Sequence, residues 1–129
     1  MSTPLLELSE VSKTFSTARG QLQAVERVSF SIAAGEAFGL VGESGSGKST
    51  IGRLALGLIA PSAGDVRFTG HSILGKSDRA LKPFRRQAQM VFQDPYSSLN
   101  PRLRVQEIIG EALDAHGLAQ DRRDARIKV

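Results

Sequence analysis

The sequence predicts an α/β fold in which an antiparallel β layer precedes a parallel-sheet core built around a phosphate-binding loop. Three observations carry that prediction. Residues 42–50 read Gly42-Glu43-Ser44-Gly45-Ser46-Gly47-Lys48-Ser49-Thr50, a complete G-x-x-x-x-G-K-S/T pattern. An apolar run, Ala37-Phe38-Gly39-Leu40-Val41, stands directly before it, and an amphipathic helical pattern directly after it. Further upstream, Val28, Phe30 and Ile32 alternate with Ser29 and Ser31, the period-two signature of a strand with one buried face.

Taken in order, Leu5 to Val11 reads as a strand ending near Ser12-Lys13. The polar segment Ser16-Thr17-Ala18-Arg19-Gly20 reads as a hairpin loop, Leu22 to Val25 as a second short strand, and Val28 to Ile32 as a third. Strands joined by short turns imply an antiparallel layer. After the turn Ala34-Gly35-Glu36, the unbroken apolarity of Ala37 to Val41 predicts a strand buried on both faces of a parallel sheet. The following helix, Ser49 to Ile59, carries Ile51, Leu54 and Leu58 on one face with Ala55 beside them. Gly52 and Gly57 each weaken it by about 1 kcal/mol relative to alanine, and Pro61-Ser62-Ala63-Gly64 stops it. Asp65 to Phe68 and the turn Thr69-Gly70-His71 extend the antiparallel layer. Ser77 to Arg86 reads as a helix with Leu81 and Phe84 inward and Pro83 as a start or kink. Gln89-Met90-Val91-Phe92 is a short buried strand, and Gln93 to Pro101 a loop with two prolines. In the last helix Val105, Ile108, Ile109, Ala112, Leu113 and His116 share a face, with Gly117 placed to close it.

The chemistry starts at the loop. Glycines accept positive φ and let the backbone wrap closely around an anion. Their N–H groups then form a nest for phosphate oxygens at the positive end of the following helix. Lys48 is placed to reach the β- and γ-phosphates, and the Ser49 hydroxyl to bind magnesium. The alternative is a Gly/Ser-rich turn with an incidental lysine. Strand, loop and helix occur in the order the nucleotide site requires.

Bulk properties narrow the class. The 129 residues carry a net charge of +4, with 40% apolar and 23% charged residues, as in an ordinary single soluble domain. A basic excess can favour nucleic acid or an anionic membrane, but here the arginines are scattered. The densest group, Asp121 to Arg126, is diluted by aspartates and reads as a solvated helix face. No nucleic-acid partner is expected. The absence of cysteine excludes disulfides, thiolate metal sites and a cysteine nucleophile. Neither an 18-residue apolar run nor a basic-then-apolar N-terminus is present, so the expected compartment is the cytoplasm. His71, in a turn, and His116, at a helix end, read as structural.

A second motif follows the apolar Gln89–Phe92 segment. Met90-Val91-Phe92-Gln93-Asp94-Pro95-Tyr96-Ser97-Ser98-Leu99-Asn100-Pro101-Arg102 closely resembles the Q-loop segment of ABC transporter ATPases, in particular the ATP-binding subunits of oligopeptide and dipeptide importers, among them nickel and glutathione importers. The spelling of residues 42–50 and the opening stretch Leu5 to Phe15 fit the same group, so the resemblance covers essentially the whole chain. It implies an ABC-type P-loop ATPase fold using ATP and Mg2+. Residues 1–129 would be the N-terminal part of one ATP-binding domain: β layer and P-loop core to about 92, Q-loop over 93–102, and the start of a helical subdomain from 103. Phe15 falls where an aromatic, more often tyrosine, stacks on adenine. Gly42, Glu43, Ser44, Gly45, Ser46, Gly47, Lys48, Ser49 and Thr50 match the phosphate-binding positions. Ser49 and Gln93 match the magnesium contacts, and Lys48 and Gln93 the catalytic ones. The implied partners are membrane-spanning permease subunits docked through Gln93 to Arg102, a second ATP-binding subunit, and indirectly a solute-binding protein. The implied location is peripheral, on the cytoplasmic face of the inner membrane. Arg104 departs from the family's frequent threonine or serine, which predicts a missing capping bond.

The family also carries a Leu-Ser-Gly-Gly-Gln signature, a strand ending in aspartate next to a catalytic glutamate, and a switch histidine. No segment of these 129 residues matches them. The expectation is therefore a chain truncated before those motifs, able to bind and orient phosphates but lacking the carboxylate that positions water. Two functional readings remain: an energising ATP-binding subunit for peptide-type import, or a non-hydrolysing nucleotide-binding or docking remnant of one. A third, a small-molecule kinase or GTPase, requires the Gln93 segment to be coincidence.

Overall fold

In the computed structural model, which describes residues 3–118, the antiparallel layer forms with two long strands where three were expected. Strand β1 (Leu6–Thr17) and strand β2 (Gly20–Ile32) make one hairpin turning at Ala18-Arg19. β2 is continuous because its polar Glu26-Arg27 step is a bulge, not a turn. Arg27 takes φ 45° and faces Glu10, which takes φ 50° on β1. Each irregularity shifts the inward-facing parity of its strand, from Leu6 and Leu8 to Val11, and from Phe30 and Val28 to Val25. Side chains replace the lost ladder bonds: the Glu10 N–H donates to Ser29 Oγ at 2.8 Å and the Arg27 N–H to Ser12 Oγ at 2.8 Å. Arg27 Nε also pairs with Glu10 Oε2 at 2.7 Å.

Strand β3 (Ala63–Phe68) pairs antiparallel with β1, and β4 (His71–Ser72) with β3, giving the order β2-β1-β3-β4. The β3–β4 turn is the two-residue Thr69-Gly70, with φ 48° and 80°; positive φ at both centres matches the twist of flanking strands. Leu8, Val11, Val25 and Val66 form the sheet's share of the core. Helix α1 (Lys48–Ala55) adds Ile51, Leu54 and Ala55, and helix α2 (Asp78–Gln87) adds Leu81 and Phe84. The Phe84 ring meets Phe68 edge-on at 5.0 Å.

Helix α1 is shorter than periodicity predicted. Gly57 is not in its interior but just past its end at φ 63°, with Gly57 N–H bonded to Leu54 O and Leu58 N–H to Arg53 O. This closure satisfies carbonyls that the last turn leaves open. Leu58, expected on the buried face, is half-exposed. In α2, Pro83 lies inside the helix and is tolerated there, while Ser77 caps the start through Ala80 N–H.

Two expected strands differ most. Neither Ala37–Val41 nor Gln89–Phe92 belongs to a sheet among the described residues. A parallel strand needs a neighbour reached through a crossover connection, and no described segment supplies one. The run Ala37–Val41 is accordingly not buried on both faces. Val41 is 96% exposed and Leu40 41%, while Phe38 stacks on Phe30 with ring centroids 4.7 Å apart. Val91 is likewise 97% exposed.

The described residues divide into two compact units between Ala88 and Gln89. The second holds the proline-bearing loop and helix α3 (Val105–Ala115). Arginine has no acceptor, so Arg104 gives α3 no side-chain cap, as expected. Glu107 compensates by accepting the Arg104 N–H at 2.9 Å. Gly117, at φ 64°, closes α3 as predicted, with Leu118 N–H bonded to Leu113 O at 2.8 Å.

Candidate functional site

The 42–50 segment wraps from Gly42 to Gly47 and enters α1 at Lys48. Gly47 is the N-cap residue at φ 96°, with no side-chain cap and no acidic residue in the first turn. No carboxylate within the first turn of α1 offsets its positive end, the arrangement an anion needs. Three glycines shape the wrap. Gly45, at φ 82°, has open space around it and supplies the turn. A Cβ on Gly42 would fall 2.6 Å from Ser46 Oγ, and one on Gly47 2.6 Å from the Ala24 carbonyl oxygen.

Lys48 holds the loop together from inside. Its ammonium donates to Gly42 O at 2.5 Å, to Glu43 O at 2.6 Å and to Ser46 Oγ at 3.2 Å. An ammonium has three protons to donate, and here all three turn to the loop that would surround a phosphate. Ser46 N–H bonds Glu43 O at 3.2 Å, which closes the turn. Ser49 is exposed and Thr50 half-buried in the first turn of α1.

Phe15 lies on the same hairpin that backs the loop. It pairs with Leu22 across the hairpin, and Thr14 pairs with Gln23 while Lys13 pairs with Val25. Ala24 is therefore the extra residue of a bulge, and it is Ala24 that Gly47 meets. Phe15 is 36% exposed, with Lys13 Nζ over the ring at 5.2 Å from the centroid. Two parts of this arrangement escaped sequence reasoning, the Ala24 bulge and Lys13. The spacing Val11-Lys13-Phe15, which puts a lysine on the inward face between two apolar residues, was the available signal.

Gln93 belongs to the second unit, in an exposed bend. Its loop is held locally. Asp94 Oδ1 accepts the Tyr96 N–H at 3.0 Å, Ser98 Oγ donates to Pro95 O at 2.9 Å, and Asn100 Oδ1 accepts the Arg102 N–H at 3.0 Å. Tyr96 is 89% exposed. The structure thus brings residues 42–50 together, adds Phe15 through the shared hairpin, and presents Gln93 on its own unit.

The residues fit a nucleoside triphosphate with magnesium. Gly42 and Gly47 allow a close wrap that a Cβ at either would block, Gly45 faces open space, Lys48 supplies charge, and the Ser49 hydroxyl is a hard oxygen donor. Among the described residues no cluster of His, Cys, Asp or Glu could hold a metal, so phosphates and water would complete the shell. Among the described residues neither His71 nor His116 belongs to such a cluster. No helix among the described residues is long and apolar enough to cross a membrane.

A family model described as ABC transporter matches residues 25–128. The oligopeptide transport ATP-binding protein OppF of Bacillus subtilis is 47% identical over 130 residues, covering 100% of this chain and 43% of that protein. Its Streptococcus mutans namesake is 48% identical over 126 residues, covering 97% of this chain and 41% of that protein. Among solved structures, the dimeric bacterial ABC transporter cassette MJ0796 superposes with a TM-score of 0.74 at 28% identity, covering 86% of this chain and 47% of that one. A post-hydrolysis dimer of the same cassette, bound to ADP and Pi, also gives 0.74, at 27% identity over 90% of this chain and 49% of that one. The chain spans less than half the length of these relatives.

Proposed function

Given that the chain belongs to the ABC transporter family, we propose that it binds ATP with magnesium in the 42–50 loop and acts within an ATP-binding subunit energising import of peptides or related solutes. The observation that carries this reading is Lys48, inside a glycine wrap at an uncapped helix N-terminus. As the triphosphate enters, the Lys48 ammonium turns protons from the Gly42 and Glu43 carbonyls to the β- and γ-phosphates. The loop and α1 N–H groups orient the remaining oxygens, and Phe15 stacks on the base. The Ser49 hydroxyl would hold magnesium, which when bound would neutralise charge on the phosphates. Gln93, on its own unit, would take the role toward magnesium and water that the family gives this position, and the exposed Tyr96–Arg102 surface would dock a permease whose state Gln93 would relay. A second ATP-binding subunit faces this one, and a solute-binding protein acts through the permease. The ATP-binding subunit itself is peripheral, on the cytoplasmic face of the inner membrane.

The test is equilibrium binding of MgATP to the purified chain. Lys48→Ala should weaken it by about 10- to 150-fold, the worth of one charge-assisted contact of about 1.5–3 kcal/mol. Equal affinities would sink the reading. A second reading, a nucleotide-binding or docking element without turnover, is favoured because neither Ala37–Val41 nor Gln89–Phe92 joins a sheet among the described residues, and a hydrolytic core needs that sheet. Steady-state phosphate release separates the two: turnover abolished by Lys48→Ala refutes the second.

A further inference from the structure

We propose that Lys13 is a positioning residue for the nucleobase, fixing the Phe15 ring so that one face is covered and the other is offered to adenine. This rests on the nucleotide-site reading above. Lys13 is placed oddly for a cation. It lies on the inward face of β1, two residues from the buried Val11, and its cross-strand partner Val25 is only 4% exposed. Its ammonium reaches over the Phe15 ring, 5.2 Å from the centroid, and donates to Ala60 O at 2.6 Å. That carbonyl lies just past α1, whose other end carries Gly47 and Lys48. Lys13 therefore ties the aromatic ring to the chain that follows the phosphate-binding helix.

The charge also has an electronic effect. A cation over one face of a phenyl ring draws on its π density. The opposite face then stacks better on an electron-rich purine, and the covered face is closed to the base. Gly47 fixes the other reference point, since its contact is with Ala24, next to the Val25 that pairs with Lys13. Ring, lysine and loop are thus registered against one bulge of β2.

The experiment compares MgATP with magnesium tripolyphosphate, which has the phosphates but no base, binding to the full chain. Lys13→Met should weaken ATP by about two- to fivefold, the range of an exposed cation–π contact, and leave tripolyphosphate unchanged. Lys13→Arg should retain ATP affinity, and in a Phe15→Leu background Lys13→Met should have no further effect. Equal losses for both ligands, or a loss that persists without the Phe15 ring, would assign Lys13 a merely structural role and overturn the inference. So would wild-type ATP affinity in Lys13→Met. A wild-type chain that binds neither ligand overturns the nucleotide-site reading and this inference with it, whereas ATP binding indifferent to Lys13 overturns the inference alone.

Discussion

Gly47 packs directly against the carbonyl of Ala24, leaving no room for a side chain: a Cβ there would stand 2.6 Å from the oxygen. The oxygen is backbone and cannot swing aside as a side chain could. Gly47 also has φ 96°, so substitution adds conformational strain to the clash. Gly45, at φ 82°, meets nothing within 4 Å and carries the strain alone. Gly47→Ala should therefore cost about 2–5 kcal/mol, combining left-handed strain and overpacking, against about 1 kcal/mol for Gly45→Ala. Urea unfolding of the two variants measures the difference. Equal costs would mean that the loop does not lean on β2.

The Glu10–Arg27 pair makes the hairpin sensitive to acid. The Arg27 hydrogen bond, then that of Ser29, then the Arg27 charge hold the Glu10 carboxyl below its ordinary value. Asp65 is lowered too, first by the Ser72 hydroxyl and further by Arg67. A depressed folded-state pKa means that, as pH falls, the unfolded chain takes up its proton first. The contribution is present above the ordinary carboxylate range, near about 4, and is lost as pH falls through the lower folded values. The Glu10 side chain is 58% exposed and that of Asp65 27%, so solvent screening should make the Glu10 share of the slope the shallower one. Melting temperature followed from neutral to strongly acidic pH should fall in that window, and Glu10→Gln with Asp65→Asn should flatten it. A double variant with the wild-type profile would remove these carboxylates from the account.

Phe15 should discriminate base from phosphate. Stacking needs a ring face rather than a hydroxyl, so Phe15→Tyr should bind ATP as the wild type does. Phe15→Leu should lose about fivefold or more, the lower end of base–aromatic stacking. Competition titrations against inorganic triphosphate provide the internal control. A leucine variant with wild-type affinity would leave Phe15 a surface residue of the hairpin.

What the sequence disclosed, and what it hid, follows the physics of each element. Residues 42–50 were legible because wrapping an anion fixes glycines and a lysine at set spacings. Helices α2 and α3 were legible from periodicity, and the closing role of Gly117 from its place after the last apolar residue. The hairpin was misread as three strands because bulges at Glu10 and Arg27 reset the period-two pattern, and a reset looks like a break. Leu58 keeps the helical spacing past the true end of α1, so periodicity alone places Gly57 inside a helix that has already closed. The apolar run Ala37–Val41 records a demand for partners, but apolarity cannot say whether those partners are within reach. Lys13 was missed because its role depends on a ring two residues away and a carbonyl on another element.

Helix α3 offers a stabilisation that tests the capping argument. At its N-cap, Arg104 presents no acceptor to the helix, and its positive charge opposes the positive end of the helix dipole. Only the backbone is served, through Glu107 Oε2 on the Arg104 N–H and the Arg104 carbonyl accepting from Glu107 and Ile108. Arg104→Thr would remove the charge and add a hydroxyl acceptor for a first-turn N–H, raising helix stability by about 0.5–1.5 kcal/mol. Arg104→Ala separates the two effects, since it relieves the charge without adding an acceptor, and should gain only about 0.3 kcal/mol. Amide hydrogen exchange at Gln106, Glu107 and Ile108 reads the local effect directly: protection should rise in the order arginine, alanine, threonine. If threonine protects no better than alanine, Glu107 already satisfies this end of the helix and a side-chain cap adds nothing there.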